Sequence, residues 1–243
     1  MEIVYGFDSL PKMRRPVATL GSFDGVHCGH RILLDEVARL AAEAGGDSVV
    51  LTFEPHPRIT LHNDEGLKLL TSLEEKAWLL ERCGIDYVIV IPFDEAFSRL
   101  SREEFVENYL TGKLGIEKLV VGYNHHFGRD KEGDYSFLAG SARLGVVEVQ
   151  QQLVGTDKVS STVIRRTIES GDMRNAVRLL GHPYIIIGTT DDNGTMTTDR
   201  YKLLPPDGEY AARVNGHEGK IIIKGGTVCR TGIRSEKAIV ELL

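Results

Sequence analysis

Short apolar runs and longer amphipathic segments alternate along the first three-quarters of the chain. Continuous apolar runs are typical of strands buried on both faces of a parallel sheet, and five are present, at residues 17–20, 48–54, 87–91, 118–122 and 146–150. Segments with apolar residues three or four positions apart predict helices, at residues 27–40, 74–83, 102–114 and 134–144. The alternation predicts an α/β fold, with a parallel Rossmann-like sheet and helices on both faces.

Local signals place some of the predicted boundaries. Ser101 and Glu104 have the spacing of a capping box, which predicts a helix start. Pro55 and Pro57 follow the second strand and are expected to stop both helix and strand.

The pattern changes at Pro183. Beyond it, short β-type runs are separated by turn residues such as Asp192-Asn193-Gly194 and Asn215-Gly216, which are hairpin signals. They predict a small antiparallel sheet or barrel, with strands at residues 184–188, 195–202, 209–214, 219–224 and 238–242. We therefore predict two domains, residues 1–183 and 184–243. Because about 60 residues bury little surface, the second domain is expected to lean on the first.

Composition and charge narrow the choice of partners. The formal net charge of −6 disfavours broad binding to nucleic acid or to an anionic membrane. No apolar run approaches the roughly 20 residues that span a bilayer, and the start of the chain lacks the pattern of a signal peptide, so we expect a cytoplasmic protein. Cys28, Cys83 and Cys229 lie far apart in the sequence, which argues against a disulfide framework and a zinc site. The sequence indicates no oligomeric state.

The first predicted strand leads into a glycine-rich turn and then into a helix. Gly21, Gly25 and Gly29 lie in or beside this turn, with His27 and His30 at the helix start. Backbone N–H groups and the positive end of the helix dipole make such a junction a phosphate site in outline, and the histidine spacing puts both imidazoles on one face. A metal pair, a catalytic pair and two histidines in a polar turn all remain open; the glycine-flanked junction favours phosphate chemistry.

A second helix start has similar chemistry. Ser160, Ser161 and Thr162 open a predicted helix, with Lys158 before them and Arg165 after them. The simplest interpretation is an N-cap. The alternative is a second phosphate site, in which cations and hydroxyls surround one helix start.

Five stretches together resemble the bacterial bifunctional riboflavin kinase/FAD synthetase family, in its adenylyltransferase half. They occur in the family's order, cover roughly residues 15–188 and are Gly21–His30, Thr52–Arg58, Val121–Gly128, Val159–Arg165 and Leu179–Tyr184. The first and fourth are shared with the wider nucleotidyltransferase superfamily, and the second and third indicate the flavin branch.

The resemblance implies that FMN and ATP react to give FAD and pyrophosphate, with Mg²⁺ as cofactor, although the sequence indicates no protein ligands for the metal. It implies that catalysis rests on five residues, namely His27, His30, Ser161, Thr162 and Arg165. The implied ATP-binding residues are Gly21, Phe23, Gly25, Gly29, Lys158 and Ser160. The implied flavin-binding residues are Phe53, Pro55, His56, Pro57 and Asn124. For Phe53 a place in the core, and for Asn124 an ordinary turn position, are the alternatives.

Two departures from the family pattern are present. His125 and His126 replace the aromatic-then-arginine pair that is common there, which affects the expected ring or phosphate contacts. No Gly-x-Pro-Thr-Ala-Asn segment follows Gly188, so we expect a degenerate barrel without riboflavin kinase activity. Two other functions remain open: a non-catalytic flavin- or nucleotide-binding protein, and an adenylyl- or cytidylyltransferase with another phosphorylated acceptor.

Overall fold

The computed structural model describes residues 1–62, 66–123, 125–129, 132–150, 153–154, 157–229, 234 and 236–243. The chain forms two compact units. The first contains residues 1–23, 30–67 and 79–152, and the second contains residues 24–29, 68–78 and 153–243. The predicted division into domains 1–183 and 184–243 stays a prediction.

The first unit is built on a six-stranded parallel sheet. Its strands are β1 (Glu2–Tyr5), β2 (Val17–Leu20), β3 (Ser48–Glu54), β4 (Tyr87–Pro92), β5 (Lys118–Gly122) and β6 (Gly145–Val149). They lie in the order β1-β4-β3-β2-β5-β6. β2 is buried along its whole length, as expected for a strand covered on both faces. The predicted parallel α/β sheet is confirmed.

Helices connect the parallel strands. They are α1 (Cys28–Ala44), α2 (Pro57–His62), α3 (Leu73–Arg82), α4 (Glu95–Ser98), α5 (Arg102–Glu104) and α6 (Tyr135–Ala139). The predicted capping box at Ser101 is confirmed, because its hydroxyl accepts from the Glu104 N–H and its own N–H donates to the Glu104 carboxylate. Beyond α5 the chain continues as a nine-residue π-helix, Phe105–Lys113, which the sequence did not predict.

The 153–243 stretch of the second unit begins with a two-stranded ribbon, β7 (Leu153–Val154) and β8 (Asp157–Lys158), followed by helices α7 (Ser161–Glu169) and α8 (Met173–Leu180). It continues with the strands β9 (Tyr184–Thr190), β10 (Met196–Thr198), β11 (Gly208–Val214), β12 (His217–Lys224), β13 (Thr227–Cys229) and β14 (Lys237–Leu242). These six strands form a closed antiparallel barrel in the order β10-β13-β12-β11-β14-β9. The predicted antiparallel β domain is confirmed as a barrel.

The barrel and the two helices before it share one hydrophobic core. Ile164 and Ile168 of α7 and Leu179 of α8 are buried in the same cluster as Ile186 and Val240 of the barrel. Apolar side chains that are removed from water together stabilise the unit as a whole. The helix that begins at Ser161 is therefore packed on the barrel.

Three predicted boundaries were wrong, and each has a local reason. The strand predicted at 195–202 ends at Thr198, because Asp199 begins a turn in which its carboxylate accepts from the Tyr201 N–H. The helix predicted at 134–144 ends at Ala139, followed by Gly140 and Ser141, which are weak helix formers. Pro57 does not stop a helix but begins α2, since proline fits the first helical position.

No helix in the described part of the chain is long and apolar enough to cross a membrane.

Candidate functional site

The turn between β2 and α1 has a strained backbone. We call residues Asp24–Gly29 the histidine turn. Phe23 and Val26 have φ of +48° and +40°, and Gly25 has φ of +84°. A Cβ on Gly25 would lie 2.7 Å from the Leu70 side chain, so this position requires glycine. Positive φ at a β-branched residue such as Val26 is uncommon, and such strain often accompanies a functional site.

Asp24 organises the histidine turn from within. Its side chain is 2% exposed. One carboxylate oxygen accepts from the Thr71 N–H at 3.0 Å, and the other accepts from the Arg165 guanidinium at 2.9 Å. In addition, the Asp24 carbonyl accepts from the Ser161 hydroxyl at 2.9 Å. The structure thus joins the histidine turn to the start of α7.

The start of α7 has a capped first turn. Ser160 is the N-cap, and its hydroxyl accepts from the Val163 N–H at 3.3 Å. Thr162 is exposed. The Arg165 side chain is 11% exposed, and its Nε has no hydrogen-bond partner among the residues that the structure describes. Lys158 lies in β8, but its side chain is outside the described residues.

The two histidines of the predicted pair have different surroundings. His27 is 6% exposed, and burial lowers its pKa to about 4, so its imidazole is neutral at pH 7. Gly29 lies directly beside it, where a Cβ would be 3.3 Å from the His27 ring. His30 is half-buried in the first turn of α1, and its ring lies 5.1 Å from the Phe23 ring, centroid to centroid.

His182 supports the same turn and was not predicted as a site residue. Its Nε2 lies 3.0 Å from the Gly25 carbonyl, and its Nδ1 lies 2.7 Å from the Pro183 carbonyl. Burial lowers its pKa. The residue was within the Leu179–Tyr184 stretch that carried the resemblance, which was the only sequence signal for it.

A second feature lies in the first unit, at the carboxyl ends of β2 and β3. It is an open cavity of about 820 Å³, which we call the aromatic cavity. Of the predicted site residues, its lining includes Gly21, Phe53, His56 and Pro57. Pro55 does not line it, and Asn124 lies outside the described residues. Cavities at this edge of a parallel sheet are the usual ligand sites of such folds.

Aromatic side chains form much of the cavity wall. The half-buried Phe53 ring packs edge-on against Phe93, with 5.3 Å between centroids, and lies 6.2 Å from Phe97. Phe53 thus packs against the hydrophobic core and lines the cavity at the same time. The sequence did not predict the contribution of Phe93 and Phe97, because they lie in the segment after β4, for which the sequence carries no motif.

His125 brings a polar atom into this apolar wall. Its ring stacks on Phe127, 5.8 Å between centroids, and its Nε2 has no hydrogen-bond partner among the described residues. Burial lowers the pKa of His125 to about 4. A neutral imidazole can donate from one nitrogen and accept at the other, and His125 is one of the residues that line the aromatic cavity.

Because of this buried imidazole, we expect acid to destabilise the protein. The unfolded chain gains a proton on His125 as the pH falls through 6.5, whereas the folded protein gains it only near pH 4. The stability that the neutral His125 contributes is fully present above pH 6.5 and is lost as the pH falls toward 4. From pH 7 to pH 5, the free energy of unfolding of His125→Phe, measured in urea, should fall by about 2 kcal/mol less than that of the wild type.

The exposed His217 on the barrel provides the control, and His217→Phe should lose as much stability as the wild type over the same pH range. A loss of stability in His125→Phe as large as that of the wild type would contradict the low pKa assigned to His125.

Comparisons with a family model and with curated relatives point to one family. The family model described as FAD synthetase matches residues 10–163. The bifunctional riboflavin kinase/FMN adenylyltransferase of Listeria monocytogenes is 39% identical over 216 residues, which are 82% of this chain and 68% of the relative. The protein of the same name from Escherichia coli K12 is 33% identical over 231 residues, or 89% and 74%.

A solved structure supports the fold. It is described as a macrolide-efflux protein from Streptococcus pneumoniae, and it matches 100% of this chain and 90% of its own length with a TM-score of 0.85. The two sequences are 23% identical, so this likeness concerns the fold alone.

Proposed function

The chain belongs to the FAD synthetase family, and on that premise we propose how it works as an FMN adenylyltransferase, making FAD and pyrophosphate from FMN and ATP. The observation that carries the function is the identity of 33–39% to relatives of that activity over 82–89% of the chain. A cytoplasmic location remains a prediction, supported by the need for ATP as substrate.

The reaction is a direct transfer. A phosphate oxygen of FMN attacks the α-phosphorus of ATP in line, the new P–O bond joins FMN to AMP, and the bond to the β-phosphate breaks to release pyrophosphate. No covalent intermediate with the protein is involved. The protein therefore acts by positioning the two phosphates and by stabilising the charge that moves onto the leaving group.

His27 and His30 are the proposed donors to the phosphate oxygens. His27 is neutral at pH 7 because burial lowers its pKa to about 4, so it donates from one ring nitrogen. His30 follows the histidine turn directly, in the first turn of α1, where backbone N–H groups and the helix dipole also favour an anion. Gly25 and Gly29 allow the backbone to approach the phosphates.

The start of α7 is the proposed site of the β- and γ-phosphates. Thr162 offers an exposed hydroxyl, and the Arg165 guanidinium has donors beyond the one given to Asp24. The Ser161 hydroxyl donates to the Asp24 carbonyl, so we assign Ser161 a contribution through its backbone N–H. Ser160, as the N-cap, fixes the helix start, and Lys158 stays a proposed ATP contact.

Mg²⁺ is best treated as part of the ATP substrate. Among the described residues there is no group of three or more side chains suited to a metal ion. Asp24, the carboxylate of the histidine turn, is already bonded to Thr71 and Arg165. Magnesium in proteins is commonly held by one or two carboxylates together with substrate phosphates, so the phosphates of ATP would supply part of its ligands.

The aromatic cavity is the proposed flavin site. Its volume of about 820 Å³ is in the range of small-molecule pockets, and Phe53 offers a ring face or edge to a flat heterocycle. His56 and Pro57 line the same wall. Pro55 and Asn124 stay proposed contacts on the strength of the resemblance.

A direct assay tests the proposal. The wild-type protein incubated with FMN, ATP and Mg²⁺ should yield FAD and pyrophosphate in equal amounts, as measured by chromatography and a coupled pyrophosphate assay. No turnover at high protein concentration would reject the function, and tight FAD binding without turnover would favour a non-catalytic flavin-binding protein.

Two comparisons complete the assay. Riboflavin with ATP should yield no FMN, as expected for a barrel whose sequence lacks the kinase segment. A panel of phosphorylated acceptors should give the highest kcat/KM with FMN; a higher value with another acceptor would instead assign the chain to transfer onto that compound.

A further inference from the structure

Lys202, between barrel strands β10 and β11, has a fully buried ammonium group. Its side chain is 0% exposed, and Nζ donates to the Leu70 carbonyl at 2.6 Å, to the Glu75 carboxylate at 2.8 Å and to the Ile185 carbonyl at 2.5 Å. It also lies 4.0 Å from the centroid of the Tyr184 ring. An ammonium group has three N–H donors, so all of them are used inside the protein.

Glu75, the ion-pair partner of Lys202, also accepts hydrogen bonds from the backbone. Its side chain is 1% exposed. One carboxylate oxygen accepts from the Ile187 N–H of β9 at 2.8 Å, and the other accepts from the Ser72 N–H at 2.8 Å. The barrel therefore holds the segment Leu70–Glu75 in two ways. Lys202 bonds to the Leu70 carbonyl and to Glu75, and the backbone of strand β9 bonds to Glu75.

The same segment holds the histidine turn. The Thr71 N–H donates to Asp24 at 3.0 Å, and the Thr71 hydroxyl accepts from the Gly25 N–H at 3.0 Å. The Leu70 carbonyl and the Thr71 N–H belong to one peptide group. This peptide group thus accepts from Lys202 at one end and donates to Asp24 at the other, and hydrogen bonds in such a series strengthen one another.

We propose that Lys202 and Glu75 are positioning residues for adenylyl transfer, because through the peptide group between Leu70 and Thr71 they fix Asp24 and, with it, the placement of His27. This inference rests on the proposed function. A buried ion pair by itself is weak evidence for stability, since desolvation offsets the attraction between the charges. What the pair supplies is a fixed geometry between the barrel and the histidine turn.

The first test keeps the charge and changes the geometry. Lys202→Arg retains the cation for Glu75, but a planar guanidinium does not reproduce the three bonds of an ammonium group. We expect kcat for FAD formation to fall roughly 10- to 100-fold, since a displacement on the order of 1 Å at a reacting group costs up to about 10²-fold. The Kd for FMN, measured by flavin fluorescence, should stay within about twofold, because the aromatic cavity is made by residues of the first unit.

The second test removes both charges. Lys202→Met combined with Glu75→Gln leaves no uncompensated buried charge, so its thermal unfolding temperature should lie near that of the wild type. Its kcat should nevertheless remain low, because the bond to the Leu70 carbonyl is lost. A merely structural pair would show the opposite, with kcat recovering together with stability.

The exposed pair Lys220–Glu209 on the barrel offers a matched control, and Lys220→Met should leave kcat and the unfolding temperature unchanged. Wild-type kcat in either folded variant would overturn the inference. Failure of both variants to fold would also count against it, as the pair would then serve folding rather than site geometry. Absence of FAD formation by the wild type is a separate result and would reject the proposed function itself.

Discussion

Replacing His30 by alanine should lower kcat for FAD formation by about 10²-fold or more. This is the usual cost of losing one donor to charge that develops in the transition state. The Kd for FMN should be nearly unchanged, because His30 is not among the residues that line the aromatic cavity. Single-turnover measurement of FAD with saturating ATP separates the transfer step from product release.

His217→Ala is the control for His30→Ala, since His217 is exposed on barrel strand β12. It should retain the wild-type rate. If His30→Ala were to turn over as fast as this control, His30 would have no role in the transfer step.

Asp24→Ala should have the second large effect, a loss in the free energy of unfolding. The substitution leaves the Arg165 guanidinium without its carboxylate in a site where the Arg165 side chain is 11% exposed, and it removes the acceptor of the Thr71 N–H. Removing one partner of a buried ion pair typically costs about 3–5 kcal/mol, and we expect a loss of that size in urea unfolding at pH 7. Transfer activity should fall with it.

Lys220→Ala, which breaks an ion pair between exposed side chains, should unfold at the same urea concentration as the wild type. A loss in Asp24→Ala of less than about 1 kcal/mol, the upper end of the range for a surface pair, would show that Asp24 does not organise the turn.

Most of the fold was predictable because its signals are local. The apolar run at residues 48–54 coincides with β3, and the Ser101 capping box is present as predicted. Strand β1 (Glu2–Tyr5) was missed because its four residues are too few to show a periodic pattern. Only Val4 of them is buried. The π-helix at Phe105–Lys113 could not be predicted, since the sequence there reads as an ordinary amphipathic helix.

The sequence predicted the motifs of the candidate site but not the ion pairs that connect them. The sequence identified His27 and the hydroxyl-rich helix start, yet the ion pair that joins them links Asp24 to Arg165 across 141 positions. No periodicity or spacing in a single sequence reports such a pair. Lys202 was overlooked for the same reason, because it lay at the end of a predicted strand and its partner Glu75 lies 127 positions earlier.

The aromatic cavity shows the same limit for apolar residues. Phe53 was identified through its motif, whereas Phe93 and Phe97 belong to a part of the chain without one. An aromatic side chain without a motif indicates burial but not which cavity it lines. His125 was noticed as a departure from the family pattern, and only the structure places its ring against Phe127.

The second unit is assembled from three separate stretches, residues 24–29, 68–78 and 153–243. During synthesis the amino-terminal part leaves the ribosome first. The histidine turn, however, cannot gain its contact with His182 until that residue has been added, far later in translation. At about 5–20 residues per second, the nascent protein therefore carries an incomplete histidine turn for roughly 8 to 30 seconds, and a chain cut short before His182 cannot complete it.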